Sequence, residues 1–174
     1  AHFFEELTRI PTVYTLHDPV PTDDMLERWL FDRFPTHKFI SISDRQRGKH
    51  GDHFLGTVYN GIDVNNFAFN AIPGAGLISV GRMIPEKGQD IAIQVAKESG
   101  LPLTIASWVT DSVKNSAYYK EKIDPFIDGK NIVLYSLMQG KNLASVYQQS
   151  KALLFPLQWE EPFGLIMTEA MSCG

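Results

Sequence analysis

The chain has 174 residues, 44% hydrophobic and 21% charged, a composition that predicts a globular protein with one sizeable core or two small ones. Its net charge of -4 and scattered cations give no electrostatic case for nucleic acid, and a single cysteine excludes an internal disulfide framework. No apolar run approaches the roughly 20 residues that span a bilayer, so we predict a cytoplasmic protein and leave peripheral contact with a membrane open.

Short apolar runs alternate with helical periodicity along nearly the whole chain, which predicts an α/β fold with parallel sheets covered on their faces. In the first part, the predicted strands are 12–16, 38–43 and 56–59, with a helix at 22–32 and a short helix near Asp44. In the second part, the predicted strands are 77–80, 102–106, 131–135 and 152–155, and the predicted helices are 88–98, 115–127, 141–149 and one from about 163.

The segment from 64 to 76 is rich in Asn, then in Gly and Ala, and it has no apolar period. We therefore predict two Rossmann-like domains, one at 1–70 and one at 77–174, joined by a linker at 71–76. The Asn60-Gly61-Ile62-Asp63 sequence just before this segment is typical of a tight turn, and we interpret it as structural.

Two acids near the end of the sequence, Glu161 and Glu169, are separated by a Pro-Phe-Gly sequence that we predict to open a helix, with Pro162 in the first turn. Helical rise would place their backbones roughly 12 Å apart. That is too far to flank one scissile bond, and it suits two acids that bind opposite ends of an elongated, hydroxyl-rich ligand. Free N–H groups at the helix start could bind phosphate. The alternative is a core helix with two exposed acids and a buried apolar face formed by Leu165, Ile166, Ala170 and Met171.

Residues 77–98 predict a buried strand, a basic loop and a helix, an arrangement that places cations at the carboxyl end of a sheet. Gly81 lets the backbone leave the strand tightly. Arg82 can bind phosphate through two parallel hydrogen bonds, and Lys87 adds a compact charge. The alternative is a solvated loop with two ordinary surface cations.

Both segments resemble motifs of one enzyme family. The run Glu-Pro-Phe-Gly-Leu…Glu-Ala-Met-Ser-Cys-Gly, at 161–174, resembles the E-x7-E motif of retaining glycosyltransferases of the GT-B fold, family 4, and 81–88 is similar to their G-R-x-x-x-x-K-G diphosphate clamp. The resemblance implies transfer of a sugar from a nucleotide-diphosphate sugar to a hydroxyl of a carbohydrate, lipid or small-molecule acceptor, with retention of configuration. It implies no cofactor and no metal. Family members have two complete Rossmann-like domains, so the resemblance also implies truncation at both ends. It makes 1–70 the C-terminal part of the acceptor-side domain and 77–174 a nucleotide-sugar-binding domain that is incomplete at its C-terminus.

The resemblance assigns roles to individual residues. Arg82 and Lys87 would neutralise the departing diphosphate with N–H groups near Phe163 and Gly164, while Glu161 would bind sugar hydroxyls and Glu169 ribose hydroxyls. His17, in the Thr-Leu-His-Asp segment, would lie close to the transferred sugar; the alternative is a satisfied histidine at a strand end. The predicted catalytic residues are His17, Arg82, Lys87 and Glu161, and the predicted donor-binding residues are Gly81, Arg82, Lys87, Glu161, Phe163, Gly164, Leu165 and Glu169.

Two other predictions concern single residues. Cys173 is expected to pack as a small apolar residue, and Trp159 and Glu160 are candidates for contact with the sugar.

Two enzymatic functions are alternatives to glycosyl transfer. One is that of a GT-B-fold sugar phosphorylase, for which we see no pyridoxal-binding motif. The other is that of a nucleotide-sugar epimerase, which we expect to lack the Pro-Phe-Gly sequence. The third alternative is a non-catalytic fragment that only binds nucleotide.

Overall fold

The structure is a computed structural model that describes residues 10–20, 28–72, 74–136 and 140–174. The chain forms two compact units: unit 1 is Ala1–Gly61 with Glu160–Phe163, and unit 2 is Ile62–Trp159 with Gly164–Gly174. In the described residues every strand pair of both units is parallel, which confirms the predicted α/β fold class.

Unit 1 contains a three-stranded sheet in the order β1-β2-β3. Its elements are β1 (Val13–Thr15), α1 (Arg28–Arg33), β2 (Lys38–Ser41), a 3-10 segment (Arg45–His53) and β3 (Phe54–Thr57). Three buried aromatic rings, those of Phe31, Phe39 and Phe54, pack with centroids 5.1 to 6.5 Å apart and form its core. The predicted helix at 22–32 is described only from residue 28, where it is helical.

Unit 2 contains a four-stranded sheet in the order β6-β5-β4-β7. Its strands are β4 (Gly76–Val80), β5 (Leu103–Ala106), β6 (Ile132–Tyr135) and β7 (Ser150–Leu153). Its helices are α2 (Gln89–Ser99), α3 (Asp111–Asn115), α4 (Ala117–Lys122), α5 (Gly140–Gln149) and α6 (Leu165–Cys173), with 3-10 turns at Pro85–Lys87 and Asp124–Phe126.

Successive residues of β4 enter different cores, because side chains alternate across a strand. Leu77 packs in one cluster with residues of α2 and α4, and Ile78 packs in another with residues of α5 and α6. The helices therefore cover both faces of the sheet, which is why its central strands, β4 and β5, are mostly apolar. Cys173 is buried in the second cluster, as predicted for a small apolar residue.

The helix predicted near 115–127 is present only as α4, which ends before Ile123 and is followed by the 3-10 turn at Asp124–Phe126, and α3 was not predicted. Ser116 has an extended backbone, with φ -69° and ψ 149°, and separates α3 from α4. Thr110 caps α3 by accepting from the N–H of Val113, and Ser116 caps α4 by accepting from the N–H of Tyr119. Two hydroxyl caps thus specify two short helices, of which the sequence predicted only the second.

The division between the units falls between Gly61 and Ile62, earlier than the predicted linker at 71–76. Segment 62–72 joins unit 2 because Phe67 is buried in its second core cluster. The Ser172 hydroxyl also donates to the Phe67 carbonyl at 2.7 Å, and the Asn70 N–H donates to the Cys173 carbonyl at 2.9 Å. The roles predicted for the two domains stay predictions.

Candidate functional site

Two loops meet at the carboxyl ends of neighbouring strands in unit 2. The first, here called the cation loop, runs from Gly81 to Gly88 after β4, and the second, the tryptophan loop, comprises 154–159 after β7. The Gln158 N–H donates to the Glu86 carbonyl at 2.9 Å. In parallel α/β sheets, this edge is where ligands bind.

Lys87 is held between the two loops. Its side chain is only 8% exposed, and its Nζ lies 4.7 Å from the ring centroid of Trp159. Its aliphatic stem passes beside Gly81, where an added Cβ would lie 3.6 Å from the Lys87 Cγ. Lys87 is therefore not the solvated surface cation of the alternative interpretation, and it is a preorganised charge.

Arg82 is exposed, and its backbone is fixed. The Arg82 carbonyl accepts hydrogen bonds from the Gln89 Nε2 and from the N–H of Ile84, both at 2.9 Å. Within the described part of the chain, the guanidinium of Arg82 makes no salt bridge. A cation without an internal counter-ion at this edge can bind an anionic ligand.

Two buried polar atoms at the same edge have no hydrogen-bond partner among the residues described: the Oε1 of Gln89 and the Oγ of Ser107. Gln89 is the first residue of α2, and Ser107 directly follows β5. Buried polar groups are almost always paired, so unpaired ones here are consistent with a ligand site. The sequence analysis missed both residues, since neither belongs to a motif.

Helix α6 begins two residues later than predicted. Gly164 is its N-cap, buried and with a φ of +87°, and Pro162 precedes the helix and does not enter its first turn.

The apolar face proposed for this helix in the alternative interpretation is wrong in part, because Leu165 is 41% exposed and Met171 is 79% exposed. The inner face of α6 is instead formed by Ile166, Ala170 and Cys173, which are spaced as one helical face requires.

Glu169 is half-buried on α6 and is fixed by α5. Its Oε2 accepts a hydrogen bond of 3.0 Å from the hydroxyl of Tyr147. Burial raises the pKa of Glu169, and the hydrogen bond from Tyr147 partly opposes that rise. Burial, with the nearby charge of Glu169, also raises the pKa of Tyr147, so its hydroxyl keeps its proton and remains a donor.

In unit 1, His17 is exposed and lies two residues after the end of β1. The backbone around it is fixed by Gln46, whose Nε2 donates to the carbonyls of Leu16 at 3.1 Å and Asp18 at 2.7 Å. The Oε1 of Gln46 accepts from the N–H of Ile42 at 2.8 Å. Gln46, which the sequence analysis did not single out, therefore holds the segment that carries His17.

The segment Glu160–Phe163 belongs to unit 1. The ring of Phe163 lies 6.1 Å from that of Tyr59, Glu161 is half-buried, and Glu160 pairs with Arg45 at 2.7 Å. Both partners of that ion pair are exposed, so it contributes little to stability. The predicted site residues thus divide between the units, and their convergence on one site stays a prediction.

The described residues contain no group of three or more His, Cys, Asp or Glu side chains placed to share a metal ion. In the same residues, no helix combines the length and the apolar character that crossing a membrane requires.

The parallel sheets define a Rossmann-like α/β protein, and the cation loop of unit 2 lies at the carboxyl ends of its strands, the edge at which such folds bind ligands. Residues 73–174, more than half of the chain, match the model of the family described as glycosyl transferases group 1. The chain belongs to this family.

Solved structures share the fold of this chain. The structure of Anabaena HepE in complex with UDP and glucose has a TM-score of 0.77 and 19% identity, covering 99% of this chain and 53% of that one. A glycosyltransferase from Rickettsia africae has a TM-score of 0.68 and 13% identity, covering 98% of this chain and 52% of that one. The fold is thus that of the GT-B glycosyltransferases.

A curated relative is the uncharacterized 41.2 kDa protein in the cps region of Klebsiella pneumoniae, 31% identical over 98 residues. The match covers 56% of this chain and 25% of that relative. The chain therefore spans about half of the two structures and a quarter of this relative.

Proposed function

We propose that the chain is part of an enzyme that transfers a glycosyl group from a nucleotide-diphosphate sugar to an acceptor hydroxyl, with retention of anomeric configuration. The observation that carries the proposal is the pair of adjoining loops in unit 2, in which Lys87 is buried against Trp159 beside the exposed Arg82. A fixed cationic site at a sheet's carboxyl edge suits a diphosphate.

Arg82 and Lys87 would neutralise the negative charge that grows on the departing diphosphate. The first N–H groups of α6, next to Phe163 and Gly164, have no carbonyl partners within the helix and would add donors to the same charge. Gly81 would let the phosphates approach the cation loop, and Leu165 would contact the donor through its exposed face.

The acids would hold the two ends of the donor, Glu161 the sugar hydroxyls and Glu169 the ribose hydroxyls. His17 would lie near the transferred sugar and stabilise charge there. This mechanism needs no enzyme nucleophile, no cofactor and no metal. The acceptor would be a carbohydrate, lipid or small molecule, and we expect the enzyme in the cytoplasm.

Calorimetry with UDP, GDP and ADP tests the donor site; UDP comes first because the Anabaena structure contains it. We expect Arg82→Gln to weaken nucleotide binding at least about tenfold, as loss of a charge-assisted contact predicts. Lys130→Gln removes another exposed cation of unit 2 and should leave the affinity unchanged. Equal affinities for the two variants, or no binding of any of the three nucleotides, would contradict the proposal.

A donor screen tests the chemistry. The protein is incubated with nucleotide sugars and candidate acceptors, nucleotide release is measured, and the anomeric configuration of the product is read by NMR. Retention in the product supports the proposal. A sugar phosphate formed from inorganic phosphate would indicate the phosphorylase, an isomerised donor without acceptor the epimerase, and binding without release the non-catalytic fragment.

A further inference from the structure

Tyr147 has the properties of a fixed hydrogen-bond donor. It lies on α5, is only 5% exposed, and donates its hydroxyl to Glu169 Oε2 on α6 at 3.0 Å. The ring of Phe67 packs edge-on against that of Tyr147, with centroids 6.2 Å apart at 61°. A buried aromatic ring with such a neighbour has little rotamer freedom, so the hydroxyl has a defined direction.

The hydrogen bond from Tyr147 restricts the orientation of the Glu169 carboxylate and leaves it able to accept further hydrogen bonds. A carboxylate offers about four acceptor positions on two oxygens, and Tyr147 uses one of them. The remaining positions can accept from two hydroxyl groups on neighbouring carbons, such as those of a ribose. A glutamate without such a restraint loses side-chain entropy when it binds, which lowers affinity for the ligand.

We infer that Tyr147 is a positioning residue that orients Glu169 toward the ribose hydroxyls and thereby sets a preference for ribonucleotides over 2′-deoxyribonucleotides. The inference rests on the proposed function, in which Glu169 binds the ribose. It assigns to Tyr147 a role in selectivity that its burial in the core would not by itself require.

The test compares UDP with 2′-deoxy-UDP by calorimetry, or the corresponding GDP or ADP pair if that base is the one bound. The wild-type chain, Tyr147→Phe, Glu169→Gln and Tyr118→Phe are measured together. Tyr118→Phe is the matched control, since it removes a hydroxyl that donates to another carboxylate of unit 2, that of Asp90 at 2.8 Å. We expect wild type and Tyr118→Phe to prefer the ribonucleotide about tenfold, and Tyr147→Phe to lose most of that preference.

The outcomes separate the two proposals. If Glu169→Gln abolishes the preference and Tyr147→Phe keeps it in full, the role of Tyr147 is overturned and the proposed function stands. If the wild-type chain binds no nucleotide, or binds both sugars equally, the role of Glu169 fails and the inference fails with it.

A thermal transition would reveal whether Tyr147→Phe still folds. A second substitution tests the inference even if it does not. 3-Fluorotyrosine at position 147 keeps the ring and makes the hydroxyl a stronger donor. We expect it to raise the preference for the ribonucleotide above that of wild type, whereas an unchanged preference would argue for a purely structural tyrosine.

Discussion

Glu169 lies where burial opposes its charge, and the pKa of its carboxyl is raised for that reason. Among the described residues, the titratable groups that face it are Tyr147 from α5 and Cys173 from its own helix, and burial together with the charge of Glu169 raises the pKa of both. A carboxylate retained in such surroundings is typical of a binding site, because a neutral side chain of the same shape would stabilise the fold better.

This environment predicts a pH-dependent effect of Glu169→Gln on stability. Because the pKa of Glu169 in the folded state lies above the ordinary value of 4.5, the folded state binds the proton more tightly than the unfolded state does. Protonation of Glu169 therefore stabilises the fold, and this contribution is fully present below pH 4.5. It is lost as the pH rises through the folded pKa. We expect Glu169→Gln to be more stable than wild type at pH 7, with the difference closing below the ordinary value of 4.5. Urea denaturation across this range measures it, with the exposed Glu121→Gln as control; lower stability of Glu169→Gln at pH 7 would contradict the prediction.

The buried side chain of Gln46 makes three hydrogen bonds to the backbone in the region of His17, and its loss should destabilise that region. Gln46→Leu leaves two carbonyls and the N–H of Ile42 without their partners. Each unsatisfied buried group costs about 1–3 kcal/mol. We expect the opening free energy of the Ile42 amide in hydrogen exchange to fall by at least that amount. The exposed Gln149→Leu should leave this amide unaffected, and full protection in Gln46→Leu would contradict the assignment.

At the scale of elements, the sequence predicted those features that depend on local pattern. Strands β4 and β5 are buried on both faces and appear as apolar runs, and α2 has one apolar face. The break at Ser116 and the late start of α6 at Leu165 depend on caps and backbone angles that the apolar period does not contain.

At the candidate site, too, the sequence predicted only what depends on local pattern. The motifs identified Arg82 and Lys87, but the burial of Lys87 depends on Trp159, which follows β7. Tyr147 meets Glu169 only because α5 packs on α6. Contacts between elements distant in the sequence leave no periodic pattern, so the sequence could not predict them.

The two ends of α2 offer a matched test of how the loops fit together. Gly88 and Gly100 have nearly equal φ angles, +68° and +69°. An added Cβ would lie 2.2 Å from the Pro156 carbonyl oxygen at Gly88 and would meet nothing within 4 Å at Gly100. Gly100→Ala should therefore cost only the conformational term, about 1–2 kcal/mol. Gly88→Ala should cost about 1–3 kcal/mol more, because the cation loop must move away from the tryptophan loop.

Both variants are measured by chemical denaturation and by nucleotide calorimetry. We expect Gly88→Ala alone to weaken nucleotide binding, since only that substitution displaces the loop that carries Arg82 and Lys87. Equal destabilisation by the two substitutions would mean that the contact between Gly88 and Pro156 does not limit the position of the loops.

At the scale of the whole molecule, the two units differ in how much core they contain. Among the described residues, unit 1 has one cluster of three buried phenylalanines, in addition to the buried Phe34 and Ile42, whereas unit 2 has two larger clusters that cover both faces of its sheet. Stability within one chain follows such differences in local burial. The central strand of unit 1, β2, should therefore open at lower free energy than β5 of unit 2.

Hydrogen exchange on the complete chain tests this difference and its origin. We expect β2 amides to exchange before β5 amides in wild type, after correction for intrinsic rates. Leu103→Ala, which truncates a buried residue of β5, should lower protection in β4 and β5 by about 2–5 kcal/mol, the usual effect of such a cavity. It should leave β2 unchanged, because the cores of the units share no residue among those described. Equal loss of protection in β2 and β5 would instead mean that the chain unfolds as one cooperative unit.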